Sequence, residues 1–237
     1  MKIQTWSKNN IDNIKEGSTW IICSARRSGK TVFSKFLVCV ENGLYDKSDK
    51  IIVMTNPVNI YNWDFLPAKN IISGYQPRMI EKILKHQNKQ KEEGKKLKRI
   101  TLILDDLMVQ TTKAEGCSQY CPTLWKIFST GRHYNITLIL ISQSISLIGL
   151  NYLRNTDYFC FFNFFIKSDK KKMIQILGNY ADEQEIKTLI KPERYHIFIL
   201  ELSNSEYELD KKLFKFKVPE QFLSLKVIKK KDKRERL

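Results

Sequence analysis

The sequence predicts an α/β fold in which a mainly parallel sheet is covered by helices on both faces. Short runs of nearly unbroken apolar residues recur along the chain, and segments with helical spacing of apolar positions alternate with them. A strand buried on both faces has no polar side to show, so continuous runs rather than period-2 alternation mark a parallel sheet. No internal repeat is visible, and 237 residues suffice for one domain with a sizeable core and no covalent staples.

Thr19-Trp-Ile-Ile-Cys23 opens the series as a buried strand. Residues 29–42 follow, with Val32, Phe33, Phe36, Leu37 and Val40 on one helical face. Lys50 to Thr55 is the second strand, stopped by Asn56-Pro57, and residues 77–93 form a helix that grows very polar. Ile100 to Leu104 and Ile136 to Ile141 are the third and fourth strands, with a helix over Tyr120 to Thr130 between them. Tyr158 to Phe165 reads as a fifth strand by its aromatic content, better explained by burial than by base stacking. Residues 169–190 hold two short helices broken near Gly178-Asn179, and Tyr195 to Leu202 is the last strand. We expect one domain over residues 1–228, a basic tail over 229–237, and mobile segments near 88–99 and in the tail.

Charge narrows the partners. Forty-one Lys and Arg against 25 Asp and Glu leave +16. Residues 85–99 supply +5 of this and residues 229–237 supply +4. A field of that kind favours a polyanion, either nucleic acid or an acidic membrane surface. Hydrophobic content of 42% excludes wholesale disorder. The five cysteines form no even disulfide framework, and no apolar stretch reaches membrane-spanning length. A soluble intracellular protein with reduced thiols is the expectation.

The sharpest chemical signal lies between the first strand and the first helix, at Ser24, Ala25, Arg26, Arg27, Ser28, Gly29, Lys30 and Thr31. A phosphate-binding loop needs small residues whose N–H groups turn around an anion, and a helix N-terminus behind them. It also needs a Lys for the β- and γ-phosphates and a hydroxyl for Mg²⁺. Gly29, Lys30 and Thr31 fill those roles, while Ser24 stands where the pattern has its first Gly. The third strand ends in Asp105-Asp106, at the sheet edge where open α/β folds bind ligands. Asp105 is assigned to the Mg²⁺ shell, and Asp106 to orienting or deprotonating the attacking water. Gln143, just after the fourth strand, is placed to sense the γ-phosphate. No Asn-Lys-x-Asp motif for guanine is present, which points to ATP. Cys117, Cys121 and His133 offer three ligands without a fourth, so helical packing explains them better than zinc.

The blocks ARRSGKT, ILDD and GRHYNITLILISQ, in that order, resemble the genome-packaging ATPases of large and intermediate DNA viruses and virophages. These belong to the FtsK–HerA superfamily of DNA-pumping motors, and the resemblance covers roughly residues 17–180. It implies a P-loop NTPase with a RecA-like additional-strand core, assembly into a pentameric or hexameric ring, and ATP-driven packaging of double-stranded DNA into a preformed capsid. Asp106 stands where cellular relatives mostly carry Glu. The resemblance also implies an Arg supplied from the next subunit. Only Arg132, Arg154 and Arg194 lie between Asp106 and the tail, and either Arg132 or Arg154 is expected to act in trans. Arg26 matches an Arg that packaging motors carry in this loop. DNA contact is expected through the backbone, with the lysines of 85–99 and the tail touching DNA or an acidic capsid or portal partner. The implied location is the viral assembly site in the host cytoplasm, or the virion. The competing readings are a small-molecule P-loop kinase and a nucleotide-switched nucleic-acid-binding protein.

Overall fold

The apolar runs fold as their composition requires. The computed structural model describes residues 3–108, 121–162, 166–189, 196–203 and 212–219. Among these, the central strands are β2 (Thr19–Cys23), β3 (Lys50–Thr55), β5 (Ile100–Asp105), β6 (Ile136–Ser142) and β7 (Tyr158–Phe161). Shorter or later strands extend both flanks: β1 (Gln4–Thr5), β4 (Ile71–Ser73), β8 (His196–Glu201) and β9 (Leu213–Lys217). The sheet order is β1-β9-β8-β7-β2-β6-β5-β3-β4. Every neighbouring pair is parallel except β7 with β8 and β8 with β9, so β8 alone runs against the others.

Successive residues of one strand serve opposite layers. Ile21 and Cys23 of β2 pack on one face with α4 (Pro77–Glu92), α5 (Pro122–Thr130) and α7 (Lys167–Leu177). Trp20 and Ile22 pack on the other with α1 (Lys8–Asp12), α2 (Lys30–Cys39) and α3 (Leu44–Lys47). Trp20 stacks on Tyr158 of β7 with ring centroids 3.9 Å apart. The aromatic run is therefore buried core from Tyr158 to Phe162, as expected, and residues 163–165 of it lie outside the described residues. Two short helices, α6 (Leu150–Arg154) and α8 (Glu183–Leu189), complete the layers.

The structure departs from expectation at particular places. The antiparallel pair β8–β9 and the flanking β1 and β4 were not anticipated. The 88–99 stretch is less free than its charge implied. It is helical to Glu92, and the Gly94 and Lys95 amides bond back to the Lys91 and Gln90 carbonyls. Buried Gln87 anchors it by donating to the Lys98 and Tyr134 carbonyls at 2.7 and 2.8 Å. Cys117, Arg194, the boundary at 228 and the basic tail lie outside the described residues. No helix among those described is long and apolar enough to cross a membrane.

Candidate nucleotide site

Strands β2, β3, β5 and β6 are parallel and end at one edge of the sheet. The topology puts β6 between the strand that feeds the phosphate loop, β2, and the strand that ends in the paired carboxylates, β5. That insertion is the additional strand the resemblance implied.

Residues 24–29 leave the end of β2 and turn into α2 at Lys30. Gly29 sits at φ +103°, a conformation that side-chain-bearing residues rarely adopt. A Cβ there would find room, 3.5 Å from the Phe162 ring, so the backbone rather than crowding requires glycine. Arg27 also has positive φ, and its side chain and that of Arg26 are exposed. Ser28 Oγ is buried without a partner among the described residues, inside the loop between β2 and α2. Lys30 is only 8% exposed, and its Nζ donates to the Ser24 and Ala25 carbonyls at 2.7 Å each. Burial pushes the Lys30 pKa down, while the nearby Asp106 and Asp105 carboxylates pull it up.

The paired carboxylates have different surroundings. Asp105 is 3% exposed, and its Oδ2 accepts from Trp63 Nε1 at 2.9 Å and Thr55 Oγ1 at 3.2 Å. Burial pushes the Asp105 pKa up, and those two donors oppose the rise. Asp106 turns out of the strand at φ +58°, its amide bonded to the Ile141 carbonyl at 3.1 Å. Strain of this kind collects at functional sites. Gln143 Nε2 donates to Asp106 Oδ2, so the amide after β6 and the carboxylate after β5 are joined. Thr31 is half-buried one residue into α2. Its hydroxyl and the Asp105 carboxylate are the oxygen donors that a hard cation such as Mg²⁺ requires, so the donor chemistry fits the metal.

The arginines lie elsewhere. Arg132 and Arg154 line one cleft of about 410 Å³ with Thr19 and Asp157, which lie at the start of β2 and just before β7. Five residues of β2 separate that edge from the phosphate loop, roughly 15 Å at the usual strand rise. The fold thus joins residues 24–31, 105, 106 and 143 and keeps both arginines apart from them. Gly17 lies close against the Arg132 backbone: it has φ +70°, and a Cβ there would fall 2.9 Å from Arg132 Cα. Gly17→Ala is expected to cost about 1–3 kcal/mol in backbone strain. A thermal melt should show a loss of roughly 2–12 °C for a chain of this size, and an unchanged melting point would refute the strained geometry.

The family model described as Poxvirus A32 protein matches residues 19–192. The chain belongs to the Poxvirus A32 protein family. The matched span starts at the first residue of β2, so in this A32 family member it contains the phosphate loop, both carboxylates, Gln143 and both arginines. No curated protein matches the chain. Among solved structures, the genome packaging NTPase B204 from Sulfolobus turreted icosahedral virus 2, bound to AMPPCP, aligns with a TM-score of 0.59. It is 14% identical over 86% of this chain and 98% of its own. EssC (ATPases 2 and 3) from Geobacillus thermodenitrificans aligns at TM-score 0.56 and 14% identity, over 79% of this chain and 38% of its own. The pCW3 conjugation coupling protein TcpA, with ATPgS, gives 0.53 and 14% over 95% and 74%. At such identities the likeness is one of fold, and it confirms the P-loop NTPase architecture for the A32 family chain.

Sequence reasoning missed three supporting residues. Thr55 and Trp63 grip Asp105 from 50 and 42 positions away. Asp169 accepts from Ser144 and Ser146, directly after Gln143. No local motif announces them: Trp63 closes a 3-10 helix, Pro57–Trp63, and Asp169 stands in the first turn of α7.

Proposed function

We propose that this chain is an ATP-hydrolysing translocase that packages double-stranded viral DNA into a preformed capsid. The observation that carries the reading is the convergence of Lys30, Asp105, Asp106 and Gln143 at one sheet edge, with the sensor amide bonded to the water-orienting carboxylate. The A32 family membership and the fold shared with a viral genome packaging NTPase support it.

Lys30 exchanges its loop carbonyls for the β- and γ-phosphate oxygens, and the loop amides and Ser28 hydroxyl cradle the same anion. Thr31 and Asp105 would hold Mg²⁺, which would neutralise negative charge on the phosphates. Asp106 accepts the proton of the attacking water as its oxygen approaches the γ-phosphorus, and ADP leaves with the released electron pair. Gln143 follows Asp106 as that carboxylate takes up the water, so the loop after β6 reports the state of the γ-phosphate. Since the arginine cleft lies at the far edge, Arg132 or Arg154 completes the site only on a neighbouring copy, which favours a homo-oligomeric ring. DNA is gripped by its phosphates without sequence preference, and the lysines of 85–99 and the tail contribute to that field or dock an acidic capsid component.

The test is steady-state ATP hydrolysis with and without linear double-stranded DNA, at rising salt. Stimulation by DNA that fades with salt is expected, and turnover indifferent to DNA contradicts the translocase. In mixed assemblies, an Arg132→Ala or Arg154→Ala chain should restore activity to a Lys30→Ala chain if that arginine acts in trans. Failure of both mixtures rules the trans role out.

A further inference from the structure

We propose that α7 carries a contact for the phosphate backbone of double-stranded DNA, and that Asp169 couples this contact to the nucleotide sensor. The inference rests on the translocase reading and assigns one surface within it.

The inward side of α7 is fastened to the sensor loop. Asp169 is 2% exposed, and its Oδ1 accepts from Ser144 Oγ at 2.8 Å, Ser146 Oγ at 2.8 Å and the Ser146 amide at 3.1 Å. One helical turn later, Lys172 Nζ donates to the Ile148 carbonyl at 2.6 Å. Both ends of the 144–148 segment are therefore held by α7, and that segment begins next to Gln143. A carboxylate that collects three donors from one short turn fixes that turn as a unit.

The outward side is cationic. Lys167, Lys170 and Lys171 are exposed and stand at i, i+3 and i+4, on one face. None forms an ion pair among the described residues. They crowd the N-terminal half of the helix, where the helix dipole is already positive, so the fold itself does not favour them there. An external polyanion does. Lysine meets phosphate as a point charge and reads no base edge, which suits a motor that accepts any sequence. Their location adds weight: α7 starts at the edge that holds Lys30 and Asp106, as its bonds to Ser144 and Ser146 require. The 93–99 lysines lead into the start of β5 at the opposite edge. A shift of Gln143 with the γ-phosphate is thus passed through Ser144, Ser146 and Asp169 to the lysine face. Linkage makes the effect reciprocal: if nucleotide alters DNA affinity, DNA alters nucleotide affinity by the same factor.

The experiment measures binding of the full chain to a fluorescent 30-base-pair duplex across a salt series, with AMPPNP and then with ADP. For the wild type, affinities in the two nucleotide states should differ about 5-fold or more. The triple variant Lys167→Ala, Lys170→Ala, Lys171→Ala should bind more weakly and lose about 2–3 from the slope of log K against log salt. Asp169→Asn keeps the size and one acceptor but removes the charge. It should bring the two nucleotide states to nearly equal DNA affinity while retaining the wild-type salt slope. Ser144→Ala with Ser146→Ala tests the same link from the other side, should Asp169→Asn fold poorly by circular dichroism. An unchanged slope in the triple variant overturns the α7 surface. Lysine-dependent capture of polyglutamate with that unchanged slope assigns the face to an acidic protein instead. A nucleotide-dependent difference that survives both loop variants overturns the coupling. A wild type that hydrolyses ATP yet shows no DNA affinity removes the translocase reading itself, a result distinct from any variant failing alone.

Discussion

Replacing Lys30 with alanine should lower ATP turnover about 10²–10³-fold, the usual effect of deleting one preorganised donor from a charge-stabilising site. The expected loss has two sources in this molecule. The ammonium that should meet the β- and γ-phosphates disappears. The Ser24 and Ala25 carbonyls also lose the donor that holds them 2.7 Å away. Lys30→Met separates these effects, because its unbranched side chain fills the buried space without donating. If the donor matters most, both variants are equally inactive and Lys30→Met melts closer to wild type. DNA-stimulated turnover should vanish with either. A Lys30→Ala chain that still hydrolyses ATP at a tenth of the wild-type rate would show that the loop does not bind phosphate as described.

The second large effect is expected at Trp63, which no motif singled out. The side chain is fully buried in the layer with α2, and its Nε1 points at Asp105. Trp63→Ala removes a large buried ring and should cost about 3–5 kcal/mol. The melting temperature should fall by roughly 6–20 °C. Trp63→Phe keeps much of the ring and deletes only the donor, leaving Thr55 alone on the carboxylate oxygen. A hydrogen bond to a charged group contributes about 1.5–3 kcal/mol. The Mg²⁺ concentration for half-maximal turnover should therefore rise about tenfold or more, with ATP binding in the absence of metal little changed. Wild-type metal dependence in Trp63→Phe would reduce Trp63 to a packing residue.

Those two residues also mark what the sequence could and could not convey. Lys30 was legible because its chemistry is local: strand, loop and helix follow one another within a dozen residues. Asp105, Asp106 and Gln143 were legible because each ends a continuous apolar run, and such runs end at the same sheet edge. Trp63 was not, since its function depends on a pairing across 42 positions that no spacing rule encodes. Asp169 was hidden in the same way behind a Lys-rich helix. In the fold, the central strands were clear from their unbroken apolarity. β9 was not foreseen, although Phe214 and Phe216 alternate with Lys215 and Lys217 in a strand-like period of two. β1 and β4, two and three residues long, carry too few side chains for any period to register.

The pairing of Gln4 with Phe214 has a consequence for how the molecule is made. A ribosome adding about 5–20 residues per second delivers β2 roughly 10–40 s before it reaches β9. Until then β8 lacks its outer neighbour and β1 has no strand to join. Residues 24–31, 105, 106 and 143, however, all precede residue 144 and are made well before β9. Nucleotide that binds this early edge adds its binding free energy to the half-built sheet by mass action. Synthesis thus gives ATP an interval as a folding ligand before the finished chain can use it as fuel.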